Sequence, residues 1–146
     1  MTDETVPGSR VRATTKHGSL SVDEIAEMQP GLARLMVELS QRFWVLAYAG
    51  RAGNWELAEY MAREARKLLG TMVLARPKYG EDLKAFTAEH MRPIEAAIEA
   101  RDLDAFEGAV RKSVEASDAY HVKYRKAFIR FRIPDRPPDW FDLEPR

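Results

Sequence analysis

The sequence predicts an all-α protein, an antiparallel four-helix bundle, and three observations carry that prediction. Apolar residues recur at three- and four-residue spacing in four separate stretches, as on one face of an α-helix. Glycine, proline and asparagine residues separate the stretches, and no strand-like alternation of apolar and polar residues competes with them. The connections are short, which is typical of antiparallel neighbours in a bundle.

Composition and charge describe an ordinary globular chain. Its 146 residues suit one domain with a single core, and 45% are hydrophobic and 32% charged. Lys plus Arg and Asp plus Glu each number 23, so the formal net charge is zero. That balance argues against a nucleic-acid partner, although it does not exclude a local basic patch on the surface. Because the chain has no cysteine, it can form neither disulfides nor thiolate metal sites.

The ends of the chain set our expectations for domains and location. Residues 1–20 mix Thr, Gly, Ser and charges without periodicity, so we expect a flexible N-terminal segment, followed by one bundle domain over residues 21–146. No apolar run approaches the roughly 20 residues of a membrane span. No apolar segment of a secretory signal is visible near the start. We therefore expect a cytoplasmic protein with no membrane partner.

The first long helix follows a short extra helical turn. Ser21-Val22-Asp23-Glu24 has the pattern of a capping box, which predicts a turn ending near Gln29. Pro30 suits the first position of the longer helix, where its missing N–H costs nothing. The apolar stripe of this helix covers five turns and consists of Leu32, Leu35, Met36, Leu39, Phe43, Leu46 and Gly50.

The second and third helices have clear boundary signals. Asn54 is a good N-cap for a second helix that ends before Pro77. Acidic Glu81 and Asp82 suit the first turn of the third helix, and Pro93 inside that helix predicts a kink or break near Met91. The inner faces are Leu57, Ala58, Met61, Ala62, Ala65, Leu68 and Met72, and then Leu83, Phe86, His90, Ile94 and Ala97.

The fourth helix changes character along its length. We expect it to run from Leu103, after the N-cap Asp102, to about Ala127. Its stripe begins apolar and becomes polar and aromatic: Leu103, Phe106, Val110, Ser113 or Val114, Ser117, His121, Tyr124 and Phe128. Residues 133–141 contain three prolines and cannot continue a helix. Their Trp and Phe predict an extended Pro-rich tail that packs back on the bundle or on a partner.

A degenerate haem-attachment motif lies near the end of the fourth helix. Ser117-Asp118-Ala119-Tyr120-His121 keeps the frame of C-x-x-C-H, with the histidine in place and both cysteines replaced. With the Tyr124-Arg125 that follows, it resembles the C-x-x-C-H-x-x-Tyr-Arg run on the last helix of cytochrome c prime and related four-helix bundles. A covalent haem is excluded, because both thioether bonds need a cysteine.

The resemblance extends over about residues 24 to 143. In this range the chain resembles a poorly characterised bacterial branch of the cytochrome c prime class. In the haem-bearing members the last-helix histidine is the proximal ligand, and first-helix side chains line the opposite iron face. The resemblance therefore implies His121 as axial ligand of a non-covalent haem and Met36 as a pocket wall. It also implies a homodimer, since relatives often pair through their first two helices. The related haem proteins are mostly exported, unlike this chain as we interpret it. The matching segments are 30–36, 47–58, 91–98, 101–106 and 128–134.

Each candidate site residue also has a structural interpretation. His121 either binds iron or another ligand, or is a core histidine bonded to a hydroxyl or carbonyl group. Tyr120 and Tyr124 either donate hydrogen bonds into a pocket or fill the core. Arg125, one turn along, either neutralises an anion such as a propionate or is a solvated cation. Ser117 is in the simplest case a small residue that lets helices approach.

Other catalytic and metal sites are weakly supported. His90 could face His121 across the core and make a two-histidine metal site, or it is a buried neutral histidine. Asp118-x-x-His121 supplies only half of a di-iron pattern, which needs Glu-x-x-His on two helices. The sequence contains no nucleophile elbow, P-loop, Rossmann glycines or zinc spacing. An enzyme is therefore the less favoured class.

Two functional hypotheses follow. The first is a binding module, whose cavity bounded by His121, Tyr124 and Met36 holds haem non-covalently or another small planar or anionic molecule. The second is an interaction protein that works by dimerising or docking, with bulky side chains such as Tyr120 filling the former haem space. We favour a haem-free protein that binds an unknown small ligand or acts as an accessory protein.

Overall fold

The computed structural model describes residues 11–146, which divide into two compact units with the boundary after Gly31. Most of these residues are helical, as predicted, but a small two-stranded sheet is also present. The all-α prediction is therefore right for most of the described chain and wrong for the sheet. No helix within residues 11–146 combines the length and apolar character needed to cross a membrane.

The first unit is a β-hairpin followed by a short helix. Strands β1 (Arg12–Thr15) and β2 (Gly18–Ser21) pair antiparallel. Residues 1–10 lie outside the described residues, and the predicted flexibility of residues 1–20 stays a prediction. The hairpin has no buried face, so it leaves no period-two apolar pattern in the sequence. Its stability comes partly from side-chain bonds, since Arg12 donates from Nε to Ser19 Oγ at 2.9 Å.

Helix α1 (Val22–Glu27) begins with the predicted capping box. The Ser21 N–H donates to Glu24 Oε2 at 2.7 Å, and the Glu24 N–H donates to Ser21 Oγ at 3.1 Å. Two free amide groups of the helix start are thereby satisfied by reciprocal bonds. This short motif was readable from the sequence because both bonds lie within four residues.

The second unit contains five α-helices, α2 (Leu32–Arg51), α3 (Trp55–Ala75), α4 (Gly80–Phe86), α5 (Arg92–Ala100) and α6 (Leu103–Lys123). Helix α2 packs on α3 and α6, α5 packs on α6, and α3 also contacts α4 and α5. The predicted N-caps Asn54 and Asp102 are confirmed, because they accept from the N–H groups of Leu57 and Ala105 at 3.1 and 3.0 Å. Helix α2 begins at Leu32, two residues later than the expected start at Pro30.

The core of this unit contains most of the predicted stripes and further residues outside them. The largest fully buried side chains include Leu46, Met72, Ile94 and Phe106 from the predicted stripes, and Leu69 and Met91 from outside them. Leu103 and Phe128 were expected on the inner face of the fourth helix and are instead 43% and 82% exposed. Leu103 stands at the first position of α6, and Phe128 lies beyond the end of α6, where helical periodicity no longer applies.

The predicted kink in the third helix is present as a π-helical segment. Residues Thr87–Met91 form wide helical turns between α4 and α5, and Pro93 stands in the first turn of α5. Proline lacks an N–H, and its ring crowds the carbonyl group four residues earlier, here that of Glu89. The wider turn removes the need for a regular α-helical hydrogen bond at that position.

Helix α6 ends four residues earlier than predicted. Arg125 adopts a left-handed conformation with φ 59°. The Arg125 N–H donates to Val122 O at 2.9 Å, and the Lys126 N–H donates to His121 O at 2.7 Å. These two bonds form a Schellman motif, which closes the helix on its own last carbonyl groups. This end was not predictable, because glycine is the usual residue at such a position and here it is an arginine.

The C-terminal segment contains no helix or strand and is hydrogen-bonded to α2 and to the start of α3. The Tyr48 hydroxyl donates to Pro134 O at 2.9 Å, and the Trp44 indole N–H donates to Arg136 O at 2.8 Å. Further along, the Asn54 amide donates to Leu143 O at 3.3 Å. The tail thus passes Tyr48, turns around Trp44 and returns to the α2–α3 junction.

Candidate functional site at the end of helix α6

His121 has one buried nitrogen without a hydrogen-bond partner. It lies in the last turn of α6, and its side chain is 21% exposed. Within residues 11–146, its Nδ1 atom makes no hydrogen bond, and Asp118 Oδ1 is 3.9 Å away. That separation exceeds hydrogen-bond length. A buried ring nitrogen without a partner is uncommon in a folded protein and marks the residue as a candidate for ligand contact.

Asp118 holds the tail instead of pairing closely with His121. Its Oδ1 accepts the backbone N–H of Phe131 at 3.0 Å, and its Oδ2 lies 4.0 Å from Arg130 Nε. The backbone bond fixes the chain where it leaves the region around the end of α6. Within the described part of the chain, no group of three or more His, Cys, Asp or Glu is placed to hold a metal ion.

Asp82 connects α4 to the end of α6. Lys123 Nζ lies 2.8 Å from Asp82 Oδ1 and 2.6 Å from Oδ2, and the Tyr124 hydroxyl donates a short hydrogen bond to Oδ2. The hydrogen bond from Lys123 is the largest cause that lowers the pKa of Asp82, and the hydrogen bond from Tyr124 is the second. The same bonds to Asp82 raise the pKa values of Lys123 and Tyr124. Sequence reasoning missed this role, since Asp82 was interpreted only as an acid in a first helical turn.

Tyr120 occupies the motif position of the second cysteine and packs against the core. Its ring lies 6.4 Å from that of Phe86 in an edge-on arrangement, and Phe86 in turn lies 5.2 Å from His90. Burial raises the pKa of Tyr120, and the negative charges of Asp82 and Glu89 add to that effect. The tyrosine therefore places an uncharged ring where the attachment motif has a small thiol.

His90 lies in the π-helical segment, with a side chain that is 21% exposed. Its Nε2 atom is 4.0 Å from Glu89 Oε2, which is an ion-pair distance only if the imidazole is protonated. The ring of His90 contacts Phe86 on the α4 side of the segment. The two-histidine site with His121 stays a prediction.

The other predicted site residues have local structural roles. Ser117 is part-buried, and its hydroxyl donates to Val114 O at 2.8 Å, one turn back in α6. Met36 is partly buried and packs against the core. Arg125 is exposed and follows the helix end, so the expectation that it stands one helical turn along from His121 is wrong. Its left-handed backbone directs the chain out of the helix instead.

Two open clefts are present on the second unit. The larger, of about 580 Å³, is lined mainly by charged residues of α3 and α5, including Arg63, Arg66, Glu95 and Glu99. The smaller, of about 330 Å³, lies at the end of α6 and is lined by Asp118, Ala119, Val122, Ala127, Ile129 and Arg130. Neither of these two clefts is lined by His121, Tyr124 or Met36.

Comparisons of this chain with protein-family models, with curated proteins and with solved structures find no match. The resemblance to the cytochrome c prime class therefore depends on the motifs in the sequence.

Proposed function

We propose that this chain is a haem-free four-helix bundle of the cytochrome c prime kind that acts as an accessory protein through its surface. In this proposal the four antiparallel helices of the bundle are α2, α3, the pair α4 and α5 taken together, and α6. The C-terminal tail is an extended segment that packs on the bundle. The observation that carries the proposal is the packing of Tyr120 against the core, at the position of the second attachment cysteine.

The surroundings of Tyr120 support a filled haem space. Its ring meets Phe86, and the neighbouring Tyr124 donates its hydroxyl proton to Asp82. The Tyr124 hydroxyl is thus engaged by a protein group, and the Tyr120 ring packs against protein side chains. A ligand-binding role would need an opening beside His121, and the two clefts described above have other linings.

A second candidate function is non-covalent haem binding, and one observation favours it. The Nδ1 atom of His121 is buried and unpaired among the described residues. A histidine that ligates a metal usually has its second ring nitrogen oriented by a partner, and Asp118 at 3.9 Å is the nearest acid in its own helix. The proposal of a haem-free protein therefore has to be tested directly at this histidine.

The test is an absorbance titration of the purified protein with haemin. We expect no shift of the Soret band of free haemin, because in this proposal protein side chains occupy the former haem space. A shift that is lost in His121→Ala and kept in His90→Ala would overturn the proposal and establish the second candidate. His90 is the matched control, since the two histidine side chains are equally exposed.

The oligomeric state is a separate proposal. We propose a homodimer formed through α2 and α3, as the resemblance implies. Sedimentation equilibrium over a range of protein concentrations measures it, and a strictly monomeric protein would contradict it. Either result is compatible with a surface function.

A further inference from the structure

The chain concentrates positive charge in the segment that follows His121. Residues 123–132 contain five cationic side chains and no acidic one, although the whole chain has a formal net charge of zero. We name these residues the basic segment. A block of like charge of this size typically marks an interaction surface. Its cations are Lys123, Arg125, Lys126, Arg130 and Arg132.

Three of these cations are free to bind a partner. Lys123 is engaged by Asp82, and Arg130 Nε lies 4.0 Å from Asp118. The remaining three, Arg125, Lys126 and Arg132, are exposed and form no ion pair with any described residue. Their charge is therefore directed to the solvent, where it attracts anions within about 10 Å at moderate ionic strength.

Apolar side chains are exposed beside these cations. Phe128 is 82% exposed, and Val122 and Ile129 are 61% and 41% exposed. Val122 and Ile129 also line the small cleft of about 330 Å³. Clustered exposed apolar side chains next to a charged rim are characteristic of binding surfaces.

The backbone presents these residues in a defined loop. The Lys126 N–H donates to His121 O, and the Ile129 N–H donates to Lys126 O at 2.8 Å. The Phe131 N–H is held by Asp118, so both ends of the loop are tied to α6. Phe128 therefore projects from a preorganised turn, which reduces the entropy lost on binding.

We propose that the basic segment docks on an anionic lipid surface. In this arrangement Phe128 and Ile129 enter the headgroup region, and the free cations face lipid phosphate and carboxylate groups. Combined apolar insertion and electrostatic attraction is the usual means of peripheral attachment. This proposal names the partner of the surface function proposed above and rests on it.

The observations favour lipid over the two other occupants of such a surface. A second copy of the chain would bring two basic segments together, and their like charges would repel. A nucleic acid would use the cations and stack on Phe128, but would leave the aliphatic Val122 and Ile129 without a role. No helix within residues 11–146 is long and apolar enough to cross a membrane, and surface attachment does not need one.

The experiment is co-sedimentation of the full chain with two kinds of vesicle, phosphatidylcholine alone and phosphatidylcholine mixed with phosphatidylserine. We expect binding only to the mixed vesicles, and weaker binding as salt is raised. Removing the three free cations as Arg125→Gln/Lys126→Gln/Arg132→Gln should lower the partition coefficient about fivefold for each charge. Phe128→Ser should lower it about tenfold.

The matched control removes the same charge from exposed positions outside the segment, as Arg92→Gln/Arg111→Gln/Lys112→Gln. It should bind mixed vesicles as the wild type does. Circular dichroism and urea unfolding check that each variant is folded. Failure of the wild type to bind mixed vesicles would overturn the proposal, as would equal losses in both triple variants.

Two further outcomes would reassign the surface. Displacement from mixed vesicles by single-stranded polynucleotide at lower concentration than by soluble phosphatidylserine would indicate a nucleic-acid site. Conversion of a dimer to a monomer by Phe128→Ser would indicate a contact between two copies. The haemin titration involves no lipid, so failure of the haem-free proposal would be seen separately from failure of lipid docking.

Discussion

The ring of Phe106 in α6 lies directly against the α-carbon of Gly50 in α2. A Cβ atom built at position 50 would stand 2.3 Å from Cε1 and 2.6 Å from Cζ of this ring. Phe106 is fully buried, and its ring is edge-on to Trp55 at 5.8 Å. Beside this contact, Arg51 forms a bidentate ion pair with Glu107. The glycine therefore sets how closely α2 and α6 approach.

The first prediction concerns that approach. Gly50→Ala should lower the free energy of unfolding by about 1–3 kcal/mol, the usual cost of overpacking a core. This loss should exceed the gain of up to about 1 kcal/mol that alanine provides in a helix. Urea unfolding monitored by circular dichroism at 222 nm, the standard wavelength for helix, measures the difference.

The matched control for this prediction is Gly70→Ala in α3. A Cβ atom at position 70 meets nothing within 4 Å, so only helix propensity changes. We expect a gain of about 0.5–1 kcal/mol in this variant. If Gly50→Ala were as stable as Gly70→Ala, the two helices could move apart without cost, and the close contact with Phe106 would not limit their packing.

The inner faces of the helices were predictable because each depends on local spacing. Gly50 and Phe106 were both assigned to apolar stripes, and Asn54 and Asp102 were assigned as caps. Such signals lie within one or two turns of helix. The contact between Gly50 and Phe106 was not predictable, because it depends on how two stripes meet in space.

The features that escaped prediction involve distant partners or unusual backbone. Asp82 pairs with Lys123 across 41 positions of sequence, a contact that no periodicity encodes. Arg125 ends α6 with a left-handed conformation that glycine normally signals. The paired strands β1 and β2 contain no buried residue, so their sequence shows no alternation of apolar and polar residues.

The second prediction is a pH dependence that originates at Asp82. The bonds from Lys123 and Tyr124 lower the pKa of Asp82 below its value of about 3.9 in the unfolded chain. The Asp82 carboxylate therefore contributes its full stabilisation of the folded state above a pH of about 4. This contribution is lost as the pH falls through the pKa of Asp82 in the folded protein. The urea midpoint of Asp82→Asn should lie below that of the wild type near neutral pH, and the difference should shrink in acid.

The control for this pH dependence is Glu81→Gln. Glu81 precedes Asp82 in α4, but its side chain is 93% exposed, and among the described residues it pairs with Lys84 alone. Its replacement should change the urea midpoint little at any pH, because an exposed ion pair contributes little. A difference between wild type and Asp82→Asn that stayed constant into strong acid would show that the bonds to Lys123 and Tyr124 do not depend on the carboxylate charge.

The third prediction concerns the left-handed residue that ends α5. Arg101 has φ 52°, and the Asp102 N–H donates to Ala97 O at 3.0 Å in the same closing pattern as at the end of α6. Arg101→Gly should raise the free energy of unfolding by about 0.5–1 kcal/mol, since glycine adopts this conformation without a steric cost. Arg101→Ala retains a Cβ atom and should show no such gain. Equal gains in both variants would instead attribute the effect to loss of the arginine side chain.

The fourth prediction separates the stability of the C-terminal tail from that of the helices. The Trp140 ring stands edge-on to Trp44 at 4.8 Å, where the Trp44 N–H also bonds the tail. Trp140→Ala should remove about 0.5–1.5 kcal/mol of ring contact. Hydrogen exchange should then become faster at the amides of residues 136–144, while exchange in α2 stays slow, because the tail can open without unfolding the core. Asp139→Ala is the control, since Asp139 adjoins Trp140 in the tail and is exposed, and its replacement should leave the exchange rates unchanged. Faster exchange throughout α2 in Trp140→Ala would mean that the tail and the helices unfold as one unit.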